Sequence, residues 1–334
     1  MAQARCSTAE IVRSSSFADR EGAVRGELPL SLALRHGGEA HVTVRYELTS
    51  AGRRPPIIVA GGISAGRHVL SSDEFPEAGW WEVQRAALSD GGDILAIDWV
   101  GADGRVDAPI DPADQVDAIA RLLTFLQIPR AAAFIGASYG AMVGMHFAAR
   151  HPERLGGLLA ISASSQPHPF ASACRSLQRQ ALSLGERVGD PAAGVALARS
   201  MAMLTYRTPD EFAERFAGAP SVEGNRLRVA ADDYLDAHGA RHCRRMGAVA
   251  YRRLSESIDL HCLEPSEILI PMTLAAADQD ALVPADDVRS LAAAVSGARF
   301  DLIKSIYGHD AFLKEQEQVA AIISRFISSL GQTA

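Results

Sequence analysis

The chain has 334 residues, of which 48% are apolar and 22% charged, with a formal net charge of −7 and a mean hydropathy of +0.03. That balance suits one domain with a large core plus an insertion, and it excludes a fibre or a disordered polymer. Basic residues are dispersed along an acidic chain, so nucleic acid is not expected as a partner, and no segment approaches an apolar membrane span.

In chain order, the stretch from Met1 to about Leu28 is polar and mixed in charge, without the apolar run of a signal peptide, so a soluble cytoplasmic protein is expected. Residues 42–48 alternate as an early strand, whereas residues 57–60 and 94–97 are continuous apolar runs of buried strands. Val116, Ile119, Leu122, Leu123 and Leu126 recur at helical spacing before a further strand-like run, and Leu158-Leu159-Ala160-Ile161 reads as the next strand. This alternation predicts an α/β fold: a mostly parallel sheet with helices on both faces. From about Ser165 to Glu267 the strand signal disappears into charged, helical sequence, which predicts a helical lid over 165–267 between core segments 1–164 and 268–334. The sheet then resumes with a strand over 271–277, a helix over 285–295 and a last strand over 300–306. A final helix carries Val319, Ile322, Ile323, Phe326 and Leu330 on one face and ends at Gly331. Cys6, Cys174, Cys243 and Cys262 lack C-x-x-C spacing, so free thiols are expected and neither a metal site nor a disulfide framework.

Between the strand-like run ending at Ala137 and an apolar helical run lies Gly136-Ala137-Ser138-Tyr139-Gly140. A serine inside G-x-S-x-G at a strand-to-helix turn is the nucleophile elbow of an α/β-hydrolase fold, where a strained turn lifts the hydroxyl above the sheet. The acid and base should follow in that order. Asp280, in the polar loop after the strand at 271–277, is the candidate acid, with Asp278 in reserve; His309, behind the last strand, is the candidate base. An acyl-transfer serine also needs donors for the oxyanion. The Tyr139 amide is one candidate, and Ile63, in the loop Gly61-Gly62-Ile63-Ser64-Ala65-Gly66-Arg67-His68, is the other. That loop fits neither a P-loop nor G-x-G-x-x-G, which disfavours phosphate binding there.

Further words narrow the reaction. Tyr307-Gly308-His309-Asp310-Ala311-Phe312-Leu313, the elbow with its helix running to His151-Pro152-Glu153-Arg154-Leu155, Trp80-Trp81, and Leu204-Thr205-Tyr206-Arg207 before Glu211-Phe212-Ala213 together resemble the homoserine O-acyltransferase family of α/β-hydrolase fold. The resemblance covers most of residues 40–330 and is most specific in the tail around His309. It implies a cytoplasmic, homodimeric enzyme of methionine biosynthesis that dimerises through its lid. Such an enzyme takes an acyl group from acyl-CoA onto serine and passes it to L-homoserine by a ping-pong route, with acyl-CoA as co-substrate and no permanently bound cofactor. Carried over, Arg207 would hold the homoserine carboxylate and Asp310 its amino group.

Two features depart from acetyl-transferring members: a shorter stretch from Trp81 to Asp98, and Arg67 in the oxyanion loop. A cation there could pair with the distal carboxylate of a succinyl group, which favours succinyl-CoA over acetyl-CoA as donor; CoA phosphates or solvent are the other uses of Arg67. L-serine as acceptor, a serine hydrolase and a non-catalytic binding relative stay as alternatives, since one methylene is worth only about 1–3 kcal/mol in a pocket.

Overall fold

Short apolar runs become the centre of one sheet in a computed structural model of the chain, which describes residues 22–50 and 55–330. Most of the N-terminal stretch searched for a signal peptide, Cys6 and the helix terminator Gly331 therefore lie outside the described residues. The strands are β1 (Gly22–Ala33), β2 (Glu39–Ser50), β3 (Ile57–Ala60), β4 (Ile94–Ile97), β5 (Ala133–Ala137), β6 (Leu158–Ile161), β7 (Ser221–Glu223), β8 (Arg226–Arg228), β9 (Met272–Ala277) and β10 (Arg299–Ile303). Eight of them form a sheet in the order β1-β2-β4-β3-β5-β6-β9-β10, antiparallel at the β1–β2 and β2–β4 pairings and parallel elsewhere.

The helices are α1 (Arg85–Ser89), α2 (Pro112–Phe125), α3 (Tyr139–Arg150), α4 (Pro169–Arg187), α5 (Pro191–Tyr206), α6 (Pro209–Arg215), α7 (Asp232–Cys243), α8 (Ala248–Leu260), α9 (Ala285–Ala294), α10 (Ala311–Lys314) and α11 (Gln316–Leu330). Side chains on the central strands alternate between two cores. Phe134, Leu158, Ala160, Leu274 and Ala276 face the core shared with α2, α3 and α9, while Ile135, Leu159, Ile161 and Ala275 face the core made with α1 and α11. Burial on both faces is why these strands read as unbroken apolar runs rather than as alternation.

The structure extends the expectation at two places. The early strand gains an antiparallel partner, β1, that the sequence reading missed. β1 is an edge strand of mostly half-exposed residues and carries Pro29, tolerated only where a strand has a free edge. Residues 165–267 hold α4 to α8, but also the hairpin β7–β8, turning through Gly224 at φ +63°. Its strands are three residues each and exposed, so no burial pattern announced them. Among the described residues no helix is long and apolar enough to cross a membrane, and Cys174, Cys243 and Cys262 are free.

Candidate active site

Ser138 sits between β5 and α3 with φ 56° and ψ −121°, a conformation that a non-glycine residue adopts only when its surroundings force it. Those surroundings are tight. A β-carbon on Gly136 would lie 2.5 Å from Gly140 backbone, and one on Gly140 would lie 2.3 Å from the Ala60 carbonyl oxygen. The turn is pinned by Ser138 N–H donating to Ile161 O at 2.8 Å and Gly140 N–H to Gly61 O at 2.9 Å.

The Ser138 hydroxyl lies 2.8 Å from His309 Nε2, and His309 Nδ1 lies 2.7 Å from Asp280 Oδ2. Asp280 is fixed through its other oxygen, which accepts from Leu282 N–H at 2.8 Å and Val283 N–H at 3.0 Å. An ionised carboxylate so held keeps the proton of His309 on Nδ1 and leaves Nε2 to accept from serine. Burial works against charging His309, but the Asp280 carboxylate outweighs it and holds the imidazole above its ordinary range. Tyr206 stacks on the ring at 5.9 Å between centroids and Phe312 meets it edge-on at 6.1 Å. Asp278 is engaged elsewhere: it accepts from Ser305 N–H at 3.0 Å and pairs with Lys304 at 3.3 Å.

Tyr139 opens α3, so its amide is among the donors a helix leaves unsatisfied at its N-terminus. Among the described residues the Ile63 amide donates to no backbone carbonyl, and Ile63 lines the space over Ser138. Neither amide is engaged by a backbone carbonyl among the described residues, as an oxyanion donor requires. Trp81, fully buried, donates from Nε1 to Phe312 O at 3.0 Å, which anchors the tail behind His309.

A cavity of about 210 Å³ covers Ser138, roofed by α4, α5 and α8. His309, Asp310, Arg175, Gln178, Arg199 and Tyr206 line it. The sequence-named residues thus divide. Ser138, Asp280, His309, Ile63, Tyr139 and Asp310 converge. Arg67 and Arg207 do not line the cavity. Arg67 turns to the end of β4, where its backbone N–H and Nη1 both bond Asp98, at 2.9 and 3.1 Å. Arg207 is buried behind the site, with Nη1 on Glu211 at 3.0 Å and Nη2 on Asp310 at 3.1 Å. The partner of Arg67 lies 31 positions away in the sequence, whereas Arg207, placed at the acceptor by the family resemblance, has one partner, Glu211, only four residues on.

Two cations that the sequence reading did not name line the cavity. Arg199 has no carboxylate partner among the described residues and lies 4.9 Å from the Tyr206 ring, two turns away on α5. Arg175 holds Asp259 through Nη2 at 2.6 Å and Nε at 2.8 Å, while its Nη1 makes no hydrogen bond among the described residues. A usable signal was present: Arg175 lies three residues before Gln178 on the inward stripe of amphipathic α4, and Arg199, seven residues before Tyr206, is the sole charge of the apolar α5.

Comparison with known proteins bears on the fold and the family. The profile of the alpha/beta hydrolase fold family matches residues 55–316. A homoserine O-succinyltransferase of Xanthomonas campestris pv. campestris is 47% identical over 333 residues, covering 98% of this chain and 90% of that protein. A homoserine O-acetyltransferase of Thermus thermophilus is 38% identical over 237 residues, covering 67% of this chain and 60% of that protein. In fold, the crystal structure of homoserine O-acetyltransferase from Bacillus anthracis superposes with a TM-score of 0.82 at 15% identity, covering 92% of this chain and 98% of that one.

Proposed function

The chain belongs to the α/β-hydrolase fold family and, within it, to the homoserine O-acyltransferases, and from that premise we propose that it carries a succinyl group from succinyl-CoA to the hydroxyl of L-homoserine through an acyl-enzyme on Ser138. The observation that carries the donor is the pair of cations over the serine. An amino-acid acceptor needs one cation and one anion beside its hydroxyl, and Arg199 with Asp310 supplies them. Arg175 is then a second cation, which an acetyl group has no use for and a succinyl carboxylate does. The succinyltransferase named above, matched along nearly the whole chain, supports the same donor.

In the first half-reaction Ser138 Oγ attacks the thioester carbonyl as its proton passes to His309 Nε2, with the Ile63 and Tyr139 amides taking the oxyanion charge. His309 returns that proton to the departing CoA sulfur. In the second half-reaction His309 takes the proton of the homoserine hydroxyl, whose oxygen attacks the Ser138 ester, and the proton ends on Ser138. Arg207 acts one step back, holding Asp310. Burial pushes the Asp310 carboxyl above its ordinary range, and Arg207 opposes this and favours the anion that an α-ammonium group needs.

On this reading the helical block 165–267 is a lid, and the enzyme serves methionine biosynthesis in the cytoplasm as a homodimer. Phe170, Leu177 and Leu184 recur every seven residues on α4, as do Leu197 and Leu204 on α5, and all are about half exposed, from 48% to 55%. Such a stripe supports a second copy as its cover, which sedimentation of Leu177→Asp against the native chain tests. The reaction itself is tested by identifying products with succinyl-CoA or acetyl-CoA as donor and homoserine, serine or water as acceptor. O-succinylhomoserine as the main product supports the proposal. Succinate release at the same rate without acceptor would make the protein a hydrolase, and O-succinylserine would move the acceptor.

A further inference from the structure

Trp99, just beyond the end of β4, is 3% exposed and donates from indole Nε1 to the Gly62 carbonyl oxygen at 3.0 Å. That oxygen also accepts from Ala65 N–H at 2.9 Å. The Gly62 carbonyl and the Ile63 N–H belong to one peptide unit, and the described chain has no cis peptide bond. In a planar trans peptide the two groups point in opposite directions. Holding the carbonyl from one side therefore aims the amide to the other, where Gly62 and Ile63 line the space over Ser138.

The peptide needs such a hold. A β-carbon on Gly62 would meet nothing within 4 Å, in contrast to Gly61, where Ala65 would lie at 2.7 Å and Trp80 at 2.9 Å. Glycine has wide backbone freedom, so the orientation of the Gly62–Ile63 peptide rests on the two hydrogen bonds to its carbonyl. The same indole meets the Tyr139 ring edge-on, with centroids 4.9 Å apart, and Tyr139 bears the other candidate oxyanion amide. The Tyr139 hydroxyl is in turn bonded to Ser257 of α8 at 2.6 Å, so the residue is held from both ends.

We propose that Trp99 is the positioning residue of the oxyanion hole: its indole N–H locks the Gly62–Ile63 peptide with the Ile63 amide facing the reacting carbonyl, while its ring packs against the second donor residue. The proposal rests on the acyl-transfer reading. It assigns to Trp99 no contact with substrate and no proton to move. Its effect is on the transition state, where the oxyanion forms, and not on ground-state binding.

The test replaces Trp99 with 3-benzothienylalanine, which keeps the fused ring but has sulfur in place of N–H, and in parallel makes Trp99→Phe. Two quantities are read in the full-length protein: steady-state turnover of the acyl donor, and affinity for an alkyl boronic acid, which adds to a serine oxygen as a tetrahedral anion. Both variants should lose about tenfold to a hundredfold in kcat, less than or equal to the loss from deleting an oxyanion donor outright. Boronate affinity should fall by a similar factor with donor KM unchanged; the benzothienyl variant, which keeps the ring volume, should hold the native thermal midpoint, whereas Trp99→Phe lowers it by leaving a cavity. A folded variant within about twofold of native in both quantities overturns the proposal, and so does a loss confined to KM. Should the native protein bind the boronate but transfer no acyl group, the transferase reading fails while the boronate comparison still decides the role of Trp99. A native protein that binds no boronate overturns both.

Discussion

Arg207 Nη2 holds Asp310 Oδ2 at 3.1 Å, and Glu211 takes the other arm of the guanidinium at 3.0 Å, so this arginine is committed to two carboxylates behind the acceptor site. Arg199 faces the cavity without such a partner among the described residues. Their substitutions should separate. Arg199→Ala should lower kcat/KM for homoserine by about tenfold to a hundredfold, the scale of one charged hydrogen bond, and leave acylation by the donor near normal. Arg207→Ala leaves the buried Asp310 without its ion-pair partner, although Glu211 keeps Arg215 at 2.8 Å, and should destabilise the protein by about 3–5 kcal/mol, seen by denaturant titration. Equal kinetic losses with unchanged stability in both variants would return the acceptor role to Arg207.

Because His309 must be neutral to accept a proton and its pKa is held above the usual 6.5, acylation should rise with pH and level off only above that value. Asp280→Asn removes the opposing carboxylate but keeps the burial, so the inflection should move below 6.5 while the rate falls by about 10⁴-fold. The pH profile of CoA release in both proteins checks this. An inflection that stays in place after the substitution would assign it to another group.

The donor preference depends on Arg175. Its removal should be tolerated structurally, because Asp259 keeps Arg179 at 2.7 Å. Arg175→Met should therefore reduce the ratio of kcat/KM for succinyl-CoA over acetyl-CoA by about tenfold or more. The same ratio in Arg67→Leu should be nearly unchanged, since Arg67 is spent on Asp98. The reverse pattern would restore the expectation drawn from the loop sequence.

His146 of α3 and His261 after α8 form a buried pair at 3.0 Å, closed by His261 Nε2 donating to the Ser164 carbonyl at 2.7 Å. This chain ties the return of the helical block to the elbow helix using one N–H from each neutral ring. Burial lowers the two pKa values to about 4 and about 3. The unfolded chain therefore binds more protons below 6.5, and stability should fall as pH drops from 6.5 toward 4. His146→Gln keeps a donor without titrating and should recover about 2 kcal/mol of the loss between pH 7 and pH 4.5. Unfolding free energies at pH 7 and pH 4.5 measure it, and an unaltered difference between the two pH values would exclude the pair as its source.

The elbow, both triad partners and the central strands were legible in the sequence because each is encoded locally: small residues around Ser138, apolar runs, and polar loops at strand ends holding Asp280 and His309. β1 was not legible, since an edge strand with half-exposed side chains and a proline lacks both burial signatures. The surroundings of the cations were not legible for a different reason. Whether an arginine is free depends on which carboxylate folding brings to it, and Asp98 meets Arg67 from 31 positions away. Helical phase on α4 would have picked out Arg175 as an inward-facing charge, and on the apolar α5 Arg199 stands out as the sole charge.

The most direct test of the account is an intact-protein mass spectrum after mixing with succinyl-CoA in the absence of acceptor. The account predicts one succinyl adduct per chain, located on Ser138, discharged on adding homoserine and absent from Ser138→Ala. An adduct that persists in Ser138→Ala, or product formed by the native protein with no adduct and no release of CoA before homoserine is added, would contradict it.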